Sequence, residues 1–277
     1  MVSLSVNVNK VATLRNSRGG AVPSVTAAVG VCLDAGAPGI TVHPRADARH
    51  ITRQDVYDVA SLVRGAARSV ELNIEGDPRA DLIAMVREVH PDQCTLVPVM
   101  PGEITSQAGW PAHTRSETLE GAIRALQTDG VRVSLFVEPE AEAIRWAAGL
   151  GADRIELYTE PYARAHERGE PERGRSLARY VEAARQASSL GLGVNAGHDL
   201  DLENLPLFAT VPHLAEVSIG HALISRALFV GLDRAVREYL AVLAQGEGTA
   251  GPSTSTRMAA DRPHSTRGPG AAPDDSP

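Results

Sequence analysis

The chain has 277 residues, enough for one large domain, and its 43% hydrophobic but only 4% aromatic content predicts a core of Ala, Val, Leu and Ile. A net charge of −7 argues against nonspecific association with nucleic acid or membrane, both of which favour a basic face. No apolar run reaches the length of a membrane span, the opening MVSLSVNVNK is too short and polar for a secretory signal, and Cys32 and Cys94 read as reduced, buried thiols, so a cytoplasmic protein is expected.

The first predicted strand, near 3–9, alternates Ser5, Asn7 and Asn9 with Leu4, Val6 and Val8. The second, near 39–44, sets Thr41 and His43 against Ile40 and Val42, and the third, near 70–75, sets Glu71, Asn73 and Glu75 against Val70, Leu72 and Ile74. Further strands are predicted near 93–98, 131–137, 153–159, 191–196 and 216–220, the sixth opposing Glu156 and Tyr158 to Ile155 and Leu157. Amphipathic helical stretches lie near 23–36, 52–67, 78–89, 115–129, 140–150, 173–190, 203–209 and 222–245. A helix, a Gly-containing turn and a short β-branched strand recur, as in LDAGAPGITVHP, LQTDGVRVSLFV and SSLGLGVNAGH. Strands alternating with helices pair in parallel through right-handed crossovers. Eight such units in about 245 residues fit an α/β fold, a closed (β/α)8 TIM barrel, over residues 1–246. The competing open doubly wound sheet would need a Gly-rich dinucleotide turn after the first strand, and VNVNKVATLRNSRGG has none. Residues 247–277 are rich in Gly, Pro, Ser and Thr, predict a disordered tail, and leave His264 incidental.

Side chains alternate across a strand, so helices covering the apolar sides would turn the polar sides into a shared interior. Burying carboxylates and amides without partners costs several kcal/mol, so a convergent polar interior points to a ligand site. Barrel active sites lie at the C-terminal ends of the strands. That rule selects Asn7, Asn9 and Lys10 after strand one, His43 and Arg45 after strand two with Arg49 and His50 beyond, and Glu75 after strand three. It adds Glu138 after strand five, Glu156 within strand six, Asn195 and His198 in NAGHD, and Gly220 and His221 in IGHAL. His43, Glu75 and His198 at three strand ends suit repeated proton transfer, because His titrates near neutrality and a buried Glu can be tuned upward to join it. The glycines after strands seven and eight stand where barrels bind phosphate; Arg45, Arg18 and His50 suit a second anion or an ordinary charged surface. A metal site ranks below acid–base chemistry, since no HxH or HExxH spacing occurs. Lys10 is the only lysine, placed to contact an anion or to form a Schiff base with a ketone.

These residues, in this order, resemble pyridoxine 5′-phosphate synthases. The resemblance is carried by VNVNKVATLRNSRG, GITVHPRADARHIT, LNIE, EITSQAGW, VSLFVEPE, IELYTEPYA, LGLGVNAGHDL and IGHALISRAL, spanning roughly 4 to 243. It implies a barrel with extra helices, a homo-octamer, no metal or organic cofactor, and condensation of 3-amino-2-oxopropyl phosphate with 1-deoxy-D-xylulose 5-phosphate, losing phosphate and water. It implies His43 and Glu75 as general bases, His198 as general acid and Glu156 as charge stabiliser. Arg45, His50 and Thr105 would hold the xylulose phosphate, and Asn7, Arg18, Gly220 and His221 the aminoketone phosphate. The chain departs from the family at Asn9-Lys10 (usually Asp-His), at Val99, Met100 and Pro101, at Tyr158 and Glu160, and at Asp199 (usually Gly). A carboxylate at 199 would repel a phosphate dianion by a few kcal/mol at an effective dielectric of about 20. A paralogue taking a different amine, and a non-catalytic barrel that binds a phosphometabolite, therefore stay open beside the synthase.

Overall fold

The computed structural model describes residues 1–98, 108–114 and 117–245. Eight strands follow one another around a closed, wholly parallel barrel. They are β1 (Ser3–Asn7), β2 (Gly39–Val42), β3 (Glu71–Gly76), β4 (Gln93–Leu96), β5 (Arg132–Val137), β6 (Arg154–Tyr158), β7 (Gly193–Gly197) and β8 (Leu214–Ile219). The helices among the described residues are α1 (Asn9–Asn16), α2 (Val25–Asp34), α3 (Arg53–Arg64), α4 (Ala80–Val89), α5 (Glu117–Thr128), α6 (Ala141–Gly149), α7 (Glu160–Arg168), α8 (Glu172–Ser189), α9 (Leu205–Phe208), α10 (His221–Val230) and α11 (Leu232–Gln245). None is long and apolar enough to cross a membrane. The expected tail (247–277), Thr105 and the departures at Val99, Met100 and Pro101 lie outside the described residues.

Strand alternation sets the architecture. Leu4, Val6, Ile40, Val42, Leu72, Ile74, Leu135, Ile155, Leu157 and Val217 are buried against the helices, where apolar area removed from water stabilises at about 25 cal/mol per Å². The opposite parity faces the lumen and is polar. Ser5 and Thr41 hydroxyls lie 2.6 Å apart, Asn73 donates to Thr41 at 3.4 Å, and Thr95 donates to Asn73 Oδ1 at 3.1 Å. Deeper, Asn195 donates to Gln93 at 3.2 Å and to Glu216 at 3.3 Å, and Arg154 donates to Asn195 at 2.8 Å. Arg132 pairs with Glu71 at the N-terminal rim of the barrel.

Three features differ from the sequence expectation. The first strand ends at Asn7, because its side-chain oxygen accepts the Asn9 N–H at 3.1 Å and turns the chain into α1. Asn9 and Lys10 therefore open a helix instead of ending a strand. A helix, α7, follows β6 directly, and the expected 222–245 helix breaks at Gly231, whose φ of 85° separates α10 from α11.

Candidate active site

At the C-terminal mouth of the barrel, a cavity of about 320 Å³ is lined by Asn7, Asn9, Lys10, His43, Arg45, His50, Glu75, Val97, Phe136, Glu156, His198, Asp199, Ser218, Gly220 and His221. The structure thus brings together the four expected acid–base groups and most of the expected binding groups. Arg18 is exposed in the turn after α1, outside the cavity. Glu138 is also outside the lining and accepts the Gly109 N–H at 3.1 Å.

His43 Nδ1 stands 3.6 Å from Glu75 Oε2, and Asn7 Nδ2 donates to the same oxygen at 3.3 Å. Asn9 fixes the strand end by accepting the His43 N–H at 2.8 Å. Burial pushes the Glu75 carboxyl up to about 8, with the charge of Glu216 adding to it against the Asn7 amide and the nearby Ser218 hydroxyl. Burial, with the neighbouring His50 and the positive charges of Arg45 and Arg79, holds His43 well below its usual value. Near neutrality the pair is therefore neutral, with its shared proton on Glu75. Glu156 is raised well above the carboxylate range, first by burial and then by Glu75. His43 Nε2 and Glu156 Oε2 are buried with no hydrogen-bond partner among the described residues, and both belong to cavity-lining side chains.

His50 sits across the His43 ring at 5.9 Å between centroids. Its Nδ1 accepts the Ile51 N–H at 2.9 Å, so the neutral ring carries its proton on Nε2. Burial and the charges of Arg45 and Lys10 push it down to about 4, which keeps it a neutral donor. The loop is held from below. Arg15 and Asn16 donate to the His50 carbonyl at 3.2 and 2.8 Å, and Arg15 makes a two-pronged pair with Asp55 at 2.5 and 2.8 Å. Asp55 also closes a capping box with Thr52 at the start of α3.

Gly197 and Gly220 stand at close approaches. A Cβ at Gly197 would stand 2.2 Å from Glu156 Oε1, and one at Gly220 would stand 3.1 Å from Asn7 Cβ. Gly220 caps α10, so the first-turn N–H groups of that helix form an anion-binding end beside His221. Val97, Phe136 and Tyr158 form a small apolar cluster at the rim, and the Tyr158 ring packs on His198 at 5.1 Å. His198 Nδ1 lies 3.1 Å from Asp199 Oδ2. Among the described residues, no group of three or more His, Cys, Asp or Glu side chains is arranged to hold a metal ion.

Sequence reasoning passed over Val97, Phe136, Ser218 and the buried Glu216. The last two carry the same alternation as the other strands, with Glu216 and Ser218 opposing Val217 and Ile219.

The sequence model of the family described as pyridoxal phosphate biosynthesis protein PdxJ matches residues 4–245. Similar proteins include the pyridoxine 5′-phosphate synthase of Bacteroides fragilis, 52% identical over 240 residues that cover 86% of this chain and 98% of that one. That of Leptospira biflexa is 48% identical over 259 residues, 90% of this chain and 100% of the other. Among solved structures, KGPDC from Streptococcus mutans matches with a TM-score of 0.59 at 10% identity, covering 88% of this chain and 98% of that chain. N-(5′-phosphoribosyl)anthranilate isomerase from Pyrococcus furiosus matches with a TM-score of 0.55 at 12% identity, covering 88% and 100%. At such identities these two likenesses speak to the barrel fold alone.

Proposed function

The chain belongs to the pyridoxal phosphate biosynthesis protein PdxJ family, and on that premise we propose that it is a pyridoxine 5′-phosphate synthase. It would condense 3-amino-2-oxopropyl phosphate with 1-deoxy-D-xylulose 5-phosphate, releasing phosphate and water. The observation that carries the reading is the single cavity in which His43, Glu75, Glu156 and His198 meet anion-binding groups on two sides.

Each group has work that its environment suits. Amine attack on the ketone, loss of water and ring closure all move protons between carbon, nitrogen and oxygen. Neutral His43, with Nε2 unpartnered among the described residues and Nδ1 near Glu75, accepts a proton and hands it on. Glu75 is a base once it has released its proton, which happens as pH rises through about 8. Glu156, whose carboxyl burial holds in the protonated form, hands its proton to the imine nitrogen and stays beside the resulting positive charge as its carboxylate, and His198 returns a proton to the departing oxygen. Arg45, His50 and Lys10 supply cation and N–H donors for the ketose phosphate, with Thr105 as the family's further contact. Asn7, His221 and the Gly220 end of α10 hold the aminoketone phosphate, and Arg18 joins them by resemblance. Lys10 acts here through charge: its positive charge bears on His50 within the same anion pocket. The octamer and the cytoplasmic setting implied by the family belong to the same proposal.

Asp199 does not require a different amine, because His198 accounts for its carboxylate and His221 and Arg164 lie close enough to offset its charge. The test is direct. The purified chain, given both substrates, should release phosphate and form pyridoxine 5′-phosphate, detected by mass spectrometry, and should rescue a vitamin B6 auxotroph. Phosphate release without that product, or no turnover, would overturn the assignment. Light scattering that gives a mass other than eight chains would remove the octamer.

A further inference from the structure

His198 and Asp199 follow β7 with φ values of 87° and 58°, two consecutive side-chain-bearing residues in a region that L residues disfavour. The surroundings impose this geometry. Thr159 Oγ1 donates to the Gly197 carbonyl at 2.7 Å and also to that of His198, while Asn204 Nδ2 donates to the Asp199 carbonyl at 3.1 Å. Asn204 is itself fixed: its Oδ1 accepts the Asp201 N–H at 3.0 Å, and its carbonyl accepts the buried Tyr162 hydroxyl at 2.9 Å. The outcome is the 3.1 Å approach of Asp199 Oδ2 to His198 Nδ1, on a ring braced by Tyr158.

Building on the function proposed above, we infer that Asp199 is a positioning residue, whose carboxylate accepts the Nδ1 proton of His198 so that proton exchange with the substrate runs through Nε2. A carboxylate on one ring nitrogen fixes the tautomer and favours the imidazolium, the form that a general acid needs. The Asp199 carboxyl is held below its usual range, first by the hydrogen bond from His198 and then by the charges of His198, His221 and Arg164, so it is ionised at neutral pH. The ionisable groups around the pair are Tyr158 from β6, Arg164 and Glu160 from α7, and His221 from α10.

The test uses the full chain labelled with 15N-histidine, as wild type, Asp199→Asn and Asp199→Gly, with His198→Gln to identify the resonance. Asn and Gly both tolerate the left-handed backbone at 199, so both variants should fold. In the wild type, the neutral His198 ring should carry its proton on Nδ1. In Asp199→Asn and Asp199→Gly that preference should be lost, with the proton found in part on Nε2. With both substrates, kcat should drop about 10-fold at a KM changed less than about 2-fold. An unchanged tautomer in both variants would overturn the pairing. A raised KM with kcat and tautomer intact would also overturn it, making Asp199 a direct substrate contact. A wild type that makes no pyridoxine 5′-phosphate would instead remove the function, while the tautomer would still decide the pairing.

Discussion

Replacing Glu216 by Gln should stabilise the fold, and more so as the pH rises. Glu216 is 3% exposed, accepts a hydrogen bond from Asn195 at 3.3 Å, and is pushed up to about 8 by burial and by the charges of Glu71 and Glu156, against the pull of Arg154 and Arg132. In the unfolded chain the same carboxyl titrates near its ordinary 4.5. Between those two values the folded protein binds a proton that the unfolded chain has released, so stability present below about pH 4.5 is lost as pH rises through about 8. At about 1.36 kcal/mol per pH unit, that interval amounts to at most about 5 kcal/mol. Part of it is shared with Glu156 and Glu75, so an advantage of about 2–4 kcal/mol for the variant at pH 9 is the expected outcome. Glutamine keeps the acceptor for Asn195 and has no proton to lose, so the two proteins should agree within about 1 kcal/mol at pH 4.5. Urea denaturation followed by circular dichroism at pH 4.5, 7 and 9 measures the gap. A gap that stays constant, or a variant less stable at pH 9, would refute the reasoning and show an ionised Glu216 held by Arg154.

The same charge arrangement makes kcat/KM rise with pH through a limb near 8, where Glu75 releases its proton; Glu75→Gln should lose about 10²–10⁴-fold in rate, and a pH–rate profile on both proteins checks each part. Gly197→Ala places a Cβ 2.2 Å from Glu156 Oε1 at full burial, and should cost about 1–3 kcal/mol in a denaturant melt together with a fall in kcat at near-constant KM. Asp55→Ala removes the Asp55 half of the α3 capping box, with the Thr52 cap kept, and leaves Arg15, 13% exposed, without its two-pronged partner. A loss of about 2–4 kcal/mol is expected, with a raised KM for the ketose phosphate, because Arg15 also holds the His50 carbonyl.

Strand parity is why the barrel and most of its mouth were readable beforehand. Leu4 and Val6 against Ser5 and Asn7, or Ile155 and Leu157 against Glu156 and Tyr158, place one face on the helices and the other in the lumen, and the structure buries all of these but the half-buried Asn7 at the mouth. The same signal extends to Glu216 and Ser218, Gln93 and Thr95, which a search confined to strand ends passed over. The end of β1 was not readable in this way, because Asn9 continues the polar parity; only the Asn7 side chain turning to the Asn9 N–H stops the strand. The left-handed pair at His198 and Asp199 was also out of reach, since Thr159 and Asn204 impose it from elsewhere in the chain. A local reading of NAGHD therefore set Asp199 against a phosphate, whereas its side-chain partner in the fold is a histidine ring.

The polar lumen sets stability against reactivity along one axis. Ser5, Thr41, Asn73 and Thr95 satisfy one another across adjacent strands, and Asn195 links Gln93, Arg154 and Glu216 below them. Beside the cavity, His43 Nε2 and Glu156 Oε2 have no hydrogen-bond partner among the described residues. A buried polar atom without a hydrogen bond costs on the order of 1–3 kcal/mol, which a substrate that supplies the missing partner recovers on binding. The raised Glu75, Glu156 and Glu216 carboxyls follow from the same burial, so each is a destabilising charge above its titration point. Apolar substitution of Glu216 should therefore spare more activity than the same change at Glu156: the first lies below the cavity and perturbs the second only through charge, whereas the second lines it.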